Sequence, residues 1–431
     1  MIVNVYGSSY FAWVAAAKLA ERGNKVSIFS SSVDVSVSGF EPALELQLPE
    51  LLQQQTDCGH LQIMTEATAP MPADLHVVAF ETAEARLAER VFPLLHSTEE
   101  YLFVLVLTPM MVGAIAELSH NLKQLAAADN RSWWPQVAVL PLFTREGSAL
   151  ADFEHPRLFL LGADDDGIRD CVTRLMQPFM QQASQSMIVP VATAELIRFG
   201  INAMLATRMS FMNEMAALAE KLDVDVELVR RGMAADPRVG PDYLYPGCGF
   251  GGPSFASELF DFAKTVHEEL DTAGLIDAVL DINESQCEIL FRKLWRFFKG
   301  NMQGRRVAIW GAAFKPATPS VRNSVVHPLL KALWGQGCHT VVHDPQAMDA
   351  MRRKYPDQPL LTLADSVEQS VQGADAIALV TAWDVFKSPD FAVLAQSMKS
   401  AVMVDGRNLY DPCVMEGHGF RYFGIGRGES I

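Results

Sequence analysis

A glycine-rich segment followed by a hydroxyl and an acid, GCGFGGPSFASE from Gly247 to Glu258, has the residue types best suited to chemistry. Four of its first six residues are glycine: Gly247, Gly249, Gly251 and Gly252. Glycine is favoured where the backbone must approach another group closely. If a helix starts after the glycines, the carboxylate of Glu258 lies on the same face as the hydroxyl of Ser254. The segment predicts a ligand-contacting loop followed by two reactive side chains.

Ser254 is compatible with three roles: a nucleophile, a hydroxyl that contacts substrate, or a helix N-cap. A serine nucleophile needs an adjacent general base. The nearest histidine in the sequence, His267, would be about three helical turns away. Serine is also a favoured N-cap residue. The sequence alone leaves the three roles open.

A second candidate site lies at the N-terminus, where the apolar strand MIVNVYG runs into a helix. Dinucleotide-binding turns have the pattern G-x-G-x-x-G, with an acid at the end of the next strand. Here the turn reads GSSYFA, and IFSSSVD ends the next strand without that acid. Ser9 would place a hydroxyl where the pyrophosphate passes. The turn is compatible with NAD binding or with a Rossmann-like shell that has lost its ligand. The candidate cofactor-binding residues are Gly7, Ser9, Tyr10 and Phe11.

Composition limits the partners. The 431 residues are 49% hydrophobic and carry a net charge of −16, which disfavours binding to nucleic acid or to an anionic membrane. No apolar run reaches the roughly 18 residues that span a bilayer. The six cysteines are scattered without metal-ligand spacing. We expect a cytoplasmic protein with no metal, no nucleic-acid partner and no membrane partner.

The hydrophobic pattern predicts three regions. Residues 1–190 alternate apolar strands with helices, which favours a doubly wound, mostly parallel sheet. Residues 191–300 have apolar residues at helical spacing and almost no strand-like runs, so they can supply long helices for subunit pairing. Residues 301–431 return to the strand–helix pattern. The predicted fold class is α/β, with two Rossmann-like doubly wound domains joined by a helical dimerisation segment.

Five segments in the middle and C-terminal thirds share their pattern and order with one enzyme family. They are ELIRFGINAMLATRMSFMNE from Glu195, DPRVG from Asp236, GCGFGG from Gly247, GAAFKPATPSVRNS from Gly311 and DGRNLYDP from Asp405. On these segments the chain resembles the UDP-glucose/GDP-mannose dehydrogenases. That family oxidises the C6 alcohol of a nucleotide sugar to a carboxylate with two NAD. The resemblance implies a substrate such as UDP-glucose, NAD as cofactor and a homodimer.

The resemblance also implies residue roles. Arg238 would reach the substrate of the neighbouring subunit. Lys315 and Arg322 would contact the ligand, and Asn202 would belong to the catalytic set. Further substrate-binding candidates are Phe143, Glu146 and the four glycines of the loop.

The chain departs from the family pattern at positions that carry chemistry. Ser254 stands where the family has its nucleophilic cysteine, and Arg198 stands where it has a lysine that stabilises an oxyanion. Leu142 replaces an acid–base glutamate, Ser257 a lysine, and Glu258 an aspartate that handles a water. The catalytic candidates are therefore Ser254, Arg198, Asn202 and Glu258. Residues expected to bind the ligand are better retained than residues expected to oxidise it.

Three functions are compatible with this pattern. The leading hypothesis is a divergent protein that binds a nucleotide sugar but has impaired or lost NAD-dependent oxidation. The first alternative is an active dehydrogenase, for example one that stops at the aldehyde because that step needs no covalent intermediate. The second is a structural or regulatory subunit that pairs with an active paralogue.

Overall fold

The computed structural model describes residues 1–30, 45, 47–65, 68, 71–80, 91–97, 100–253, 255–270, 272 and 274–428. The chain forms two compact units, Met1–Gly200 and Ile201–Ile431, called the first and second unit below. The boundary between them falls within one long helix, Val191–Leu222. The three-domain division at 190 and 300 stays a prediction.

The first unit is built on an eight-stranded sheet with the order β3-β2-β1-β4-β5-β6-β7-β8. All neighbouring strands are parallel except β6 and β7. The strands are β1 Ile2–Tyr6, β2 Lys25–Ser30, β3 Leu61–Thr65, β4 Leu75–Val78, β5 Phe103–Val106, β6 Gln136–Val139, β7 Leu158–Ala163 and β8 Gln185–Val189. The central strand β4 is buried along its length, as expected for a parallel strand covered on both faces.

In the described part of the first unit, five helices and a 3₁₀ turn accompany this sheet. They are α1 Tyr10–Glu21, α2 Leu48–Asp57, the turn Phe92–Ser97, α3 Ala114–Ala128, α4 Ala149–Glu154 and α5 Asp166–Gln182. Helix α1, with the sequence YFAWVAAAKLAE, is buried from Ala12 to Ala20. Its small alanines allow a close approach to the rest of the core, in which Trp13 is wholly buried.

Five helices follow: α6 Val191–Leu222, α7 Val226–Ala234, α8 Phe255–Leu270, α9 Gly274–Cys287 and α10 Ile289–Phe297. No strand occurs between residues 192 and 299 in the described part of the chain, which confirms the predicted helical character. Across the described ranges, none of the helices has both the length and the apolar character needed to cross a bilayer.

The second unit also contains a six-stranded parallel sheet with the order β11-β10-β9-β12-β13-β14. Its strands are β9 Arg306–Trp310, β10 His339–His343, β11 Leu361–Leu363, β12 Ala376–Leu379, β13 Val402–Asp405 and β14 Arg421–Phe423. Its helices are α11 Val326–Gly335, α12 Met348–Lys354, α13 Val367–Val371, α14 Phe391–Ser397 and α15 Pro412–Gly417. Two Rossmann-like sheets and a helical segment are present, so the predicted fold class is confirmed.

Candidate functional site

The glycine loop, residues 247–252, packs tightly against other parts of the second unit. A Cβ on Gly251 would lie 1.9 Å from the carbonyl oxygen of Asn323. Gly252 has a φ of +107°, and a Cβ there would lie 2.9 Å from the ring of Phe314. The glycine pattern correctly predicted a close approach. Its partner at these two positions, however, is the chain's own GAAFKPATPSVRNS segment.

Amide side chains from two helices hold the loop in place. The Gly247 N–H donates to Oδ1 of Asn213 on α6 at 2.8 Å, and Gln286 on α9 donates to the Gly247 carbonyl at 2.7 Å. Asn283, also on α9, accepts from the Phe250 N–H at 2.8 Å and donates to the Phe250 carbonyl at 3.2 Å. Sequence reasoning missed Asn283 and Gln286. The sequence signal that could have identified them is their spacing: they lie three residues apart on one helix face, next to an apolar stripe.

Arg407 connects the loop to the second sheet. Its Nη1 donates to the Gly249 carbonyl at 3.1 Å, and its Nε donates to the Val380 carbonyl at 2.7 Å. The turn that carries Arg407 is held by Asp405, which is buried and accepts three backbone N–H groups and the hydroxyl of Tyr422. The DGRN segment therefore has a structural role beside any contact with a ligand.

Two cysteines near the loop are poor candidates for a replacement nucleophile. Cys248 is fully buried, and burial raises the pKa of its thiol. Burial raises the pKa of the Cys287 thiol to about 12, and its Sγ lies where a Cβ on Gly249 would be 2.8 Å away. A thiol must ionise to attack, so neither group is activated in this environment.

Two predicted catalytic residues are in direct contact. Nδ2 of Asn202 on α6 donates to Oε2 of Glu258 at 2.7 Å. Glu258 is in the first turn of α8 and is only 5% exposed, so its carboxylate lies near a helix N-terminus. Ser257 is exposed, and its hydroxyl donates to the Pro253 carbonyl. Ser254 lies outside the described residues.

Arg198 contacts the segment that the sequence placed beside the sugar. Its Nη1 donates to the carbonyl of Leu142 at 2.8 Å, within the first unit. The side chain is half-buried, so it is not a fully solvated arginine. Phe143 packs against the core cluster that contains Val104, and Glu146 is half-buried.

The nucleotide turn is tightly built. Gly7 has a φ of +132°, and a Cβ there would lie 2.3 Å from the carbonyl oxygen of Ala79. Ser9 caps helix α1: its hydroxyl accepts from the Ala12 N–H at 3.1 Å and donates to the Ala79 carbonyl at 2.6 Å. Contrary to the sequence prediction, this hydroxyl points inward towards the end of β4, and the residue is only 3% exposed.

Tyr10 also points into the protein. Its hydroxyl donates to the carboxylate of Glu45, and burial raises the Tyr10 pKa. Glu45 accepts the N–H groups of Ala149 and Leu150 at 2.8 and 3.2 Å, so it caps α4. Phe11 packs beside the same core. Tyr10 and Phe11 therefore position the turn through contacts within the first unit.

The three predicted ligand cations lie in the second unit. Nζ of Lys315 is 5.7 Å from the centre of the Phe314 ring, and Arg322 is exposed. The Arg238 side chain is 87% exposed and pairs with Asp236 at 2.7 Å. This hydrogen-bonded partner lowers the pKa of Asp236.

Two family models match this chain, and both matches lie C-terminal to residue 191. Residues 192–285 match the central domain of the UDP-glucose/GDP-mannose dehydrogenase family. Residues 308–412 match the UDP binding domain of the same family.

Individual relatives match almost the whole chain. The UDP-glucose 6-dehydrogenase of Pseudomonas aeruginosa is 34% identical over 439 residues, which cover 98% of this chain and 97% of that protein. The UDP-glucose 6-dehydrogenase of Rhizobium meliloti is 27% identical, covering 99% of this chain and all of that protein.

Solved structures show the same architecture. A UDP-glucose dehydrogenase from Pyrobaculum islandicum aligns with a TM-score of 0.85 at 25% identity, covering 99% of this chain and 97% of that one. A UDP-D-ManNAc dehydrogenase from Pyrococcus horikoshii aligns with a TM-score of 0.86 at 20% identity over 99% of this chain and all of that one, a likeness of fold. The chain thus belongs to the UDP-glucose/GDP-mannose dehydrogenase family.

Proposed function

We propose that this protein binds a nucleotide sugar, such as UDP-glucose, and that its NAD-dependent oxidation is impaired or lost. The contact between Arg198 and the Leu142 carbonyl is the observation that carries this proposal. An arginine stays protonated and leucine has no transferable proton, so neither serves as a general acid or base. Loss of one such group typically lowers the rate about 10²–10⁴-fold.

Binding of the nucleotide sugar is assigned to the second unit. The UDP binding domain profile covers Lys315 and Arg322, whose charges suit a diphosphate. The tight packing of Gly251 and Gly252 fixes the glycine loop beside the segment that carries these two cations. A fixed loop lowers the entropy cost of ligand binding.

NAD would be held at the Gly7 turn of the first unit. The turn fits a dinucleotide, because its strand–turn–helix geometry ends at the N-terminus of α1, where backbone N–H groups and the helix dipole favour a pyrophosphate. The inward hydroxyl of Ser9 does not contradict this fit. Gly7, Ser9, Tyr10 and Phe11 would shape the pyrophosphate site, with Ser30 in place of the usual ribose-binding acid. When bound, NAD accepts a hydride from the substrate.

A one-step oxidation to the aldehyde is the second candidate, and the Asn202–Glu258 contact favours it. A buried carboxylate held by an amide is a suitable general base for an alcohol proton. This step needs no covalent intermediate, so it does not depend on the residue at position 254.

Exposed apolar residues on α6 support pairing with a second copy of the chain. They recur at spacings of seven and four: Met204, Phe211, Leu218 and Leu222. Such a stripe on one helix face is typical of a helix–helix interface. We infer a homodimer, with an active paralogue as an alternative partner that co-purification would reveal. A cytoplasmic location is proposed from the sequence alone.

The direct test measures NADH fluorescence with stoichiometric protein, NAD and UDP-glucose, alongside calorimetric binding of UDP-glucose. Binding without NADH is the expected result. One equivalent of NADH per sugar would favour the one-step reaction, and two equivalents would overturn the proposal. Absence of UDP-glucose binding would contradict the assignment of the second unit.

A further inference from the structure

A pocket of about 760 Å³ lies in the first unit, away from the nucleotide turn. Its lining includes Phe103 and Gln136, the first residues of β5 and β6. Strands β1, β4, β5 and β6 are parallel, so the pocket lies at their amino ends, whereas Gly7 follows the carboxyl end of β1. The two sites are therefore at opposite edges of one sheet.

Four aromatic residues line this pocket: Tyr101, Phe103, Trp133 and Trp134. Trp134 is 55% exposed and Tyr101 is 37% exposed, although both are large amphipathic side chains that gain from burial. The Tyr101 and Phe103 rings are 4.9 Å apart, and the Arg131 guanidinium lies 5.2 Å from the Trp133 ring. Exposed aromatic surface within a concave site is typical of a binding site.

The polar lining is cationic. Lys123 and Arg174 both line the pocket, and neither side chain forms an ion pair or hydrogen bond with any residue in the described ranges. Among the lining residues that the structure describes, Asp165 is the one acid, and its side chain does not cap α5 although it precedes that helix. These described lining residues carry one net positive charge in a chain whose overall charge is −16.

We propose that this pocket binds a small ring compound that carries a single carboxylate. The ring would stack on Trp134 beside Trp133, and the carboxylate would be bound by Arg174 and Lys123. A guanidinium binds a carboxylate through two parallel hydrogen bonds. A phosphate monoester carries about 1.5 to 2 negative charges, which matches this lining less well. Sugar acids and aromatic acids share the required chemistry. The proposal is independent of the reaction proposed above.

Saturation-transfer NMR on the full-length protein tests the assignment with D-glucuronate and benzoate as probes. D-glucose and benzyl alcohol are the neutral counterparts. We expect one or both acids to bind at least about fivefold more tightly than the neutral compound of the same shape, since a charge-assisted hydrogen bond contributes about 1 kcal/mol or more. Binding of glucuronate but not benzoate would identify a sugar-acid site, and binding of benzoate but not glucuronate would identify an aromatic-acid site.

Variants locate the bound probe. Trp134→Ala and Arg174→Gln should each weaken binding of the acid about fivefold or more. Trp295→Ala replaces the other exposed tryptophan, and Arg169→Gln replaces a half-buried arginine that lies on α5 like Arg174 but outside the pocket lining. Neither change should alter binding. Circular dichroism and thermal melts on each variant check that the fold is retained.

Three results would overturn the assignment. If neither acid binds with a Kd of 10 mM or below, the pocket is not a site of useful affinity, since a Kd of 10 mM corresponds to a binding free energy of only roughly 3 kcal/mol. Binding that is insensitive to both Trp134→Ala and Arg174→Gln would place the probe elsewhere, for example at the nucleotide-sugar site. Equal binding of acids and neutral compounds would show that the carboxylate is not recognised.

Discussion

The two sheets make the same turn after their first strand, β1 in one and β9 in the other, but they place different chemistry beside it. In the first sheet Tyr6 pairs with Phe29, so Gly7 and Ser30 occupy equivalent positions beyond them. In the second sheet Trp310 pairs with His343, so Gly311 is the equivalent of Gly7. Both glycines have positive φ and pack against a residue just beyond the next strand in the sheet order, which is Ala79 after β4 and Thr381 after β12.

The residue opposite the glycine distinguishes the two turns. In the first sheet Ser30 is neutral, and its hydroxyl is 3.0 Å from that of Ser8. In the second sheet the equivalent residue is Asp344, whose Oδ2 accepts the N–H groups of Ala312 and Ala313 at 2.7 and 3.0 Å. The second turn therefore contains its own anion, bound by the groups that a phosphate would need.

This difference predicts different ligand roles for the two sheets. A buried carboxylate repels a phosphate at the second turn, so a nucleotide bound to the second unit must be held by other groups, such as Lys315 and Arg322. The first turn has a neutral serine and leads directly into helix α1, whereas the second leads into a loop before α11. Equal strand order does not imply an equal ligand site.

Replacing the second turn's acid should have the largest effect. Asp344→Ala leaves buried N–H donors without an acceptor, including the indole of Trp383, which donates at 2.9 Å. We expect a loss of about 3–5 kcal/mol in the free energy of unfolding. Ser30→Ala, the matched change in the first turn, should cost less than about 1.5 kcal/mol because it removes a neutral hydroxyl and not a buried carboxylate. Urea unfolding followed by hydrogen exchange in each unit would measure both, and equal losses would contradict the comparison.

In the first turn, the space around Gly7 excludes a side chain. Gly7→Ala forces a Cβ against the Ala79 carbonyl and should cost about 3 kcal/mol. Gly23→Ala is the matched control, because Gly23 also has positive φ but no neighbour within 4 Å of its Cβ. It should cost only about 1–2 kcal/mol. Thermal melts and NAD titration of both variants would separate close approach from backbone conformation, and indistinguishable variants would disprove the steric argument.

Lowering the pH should destabilise each unit through one buried histidine. Burial lowers the pKa of His76 in the first unit and of His327 in the second to about 4. Below about pH 6.5 each of these histidines binds a proton in the unfolded state but not in the folded state. The free energy of unfolding is therefore highest above that pH and falls as the pH drops towards 4. At pH 5 each histidine should lower the free energy of unfolding by about 2 kcal/mol relative to neutral pH.

Variants assign this pH dependence to each unit. His76→Phe should flatten the loss between pH 6.5 and 4 in the first unit alone, measured by hydrogen exchange. His339→Phe, an exposed site on β10, is the control and should leave the profile unchanged. A loss in the first unit that persists unaltered in His76→Phe would show that other groups cause it.

Local patterns predicted the elements well and the contacts poorly. The helical spacing of α6 and the apolar runs of both sheets follow from periodicities that a short window contains. The contacts Asn202–Glu258 and Arg198–Leu142 each join residues 56 positions apart, so no spacing rule reveals them.

The glycine loop shows the limit most clearly. A run of glycines reports that something lies close, but it does not distinguish a ligand from the chain's own backbone. Asn323, the partner of Gly251, is 72 residues further along and becomes a neighbour only once the second sheet is folded. The role of Asp344 is equally hidden in the sequence, because its partners Ala312 and Ala313 become neighbours only through the parallel pairing of β9 and β10.

The smallest effect concerns the cations that should replace the second turn as phosphate ligands. Lys315→Met and Arg322→Gln should each weaken UDP-glucose binding about tenfold, or about 1.4 kcal/mol, while the melting temperature and NAD affinity stay unchanged. Lys331→Met, at an exposed lysine of α11 in the same unit, is the control for a general loss of charge. Calorimetry on the three variants would show whether the effect is local. If Lys331→Met weakens binding as much as the other two, the second unit attracts the diphosphate through its overall field. Lys315 and Arg322 would then not be its specific ligands.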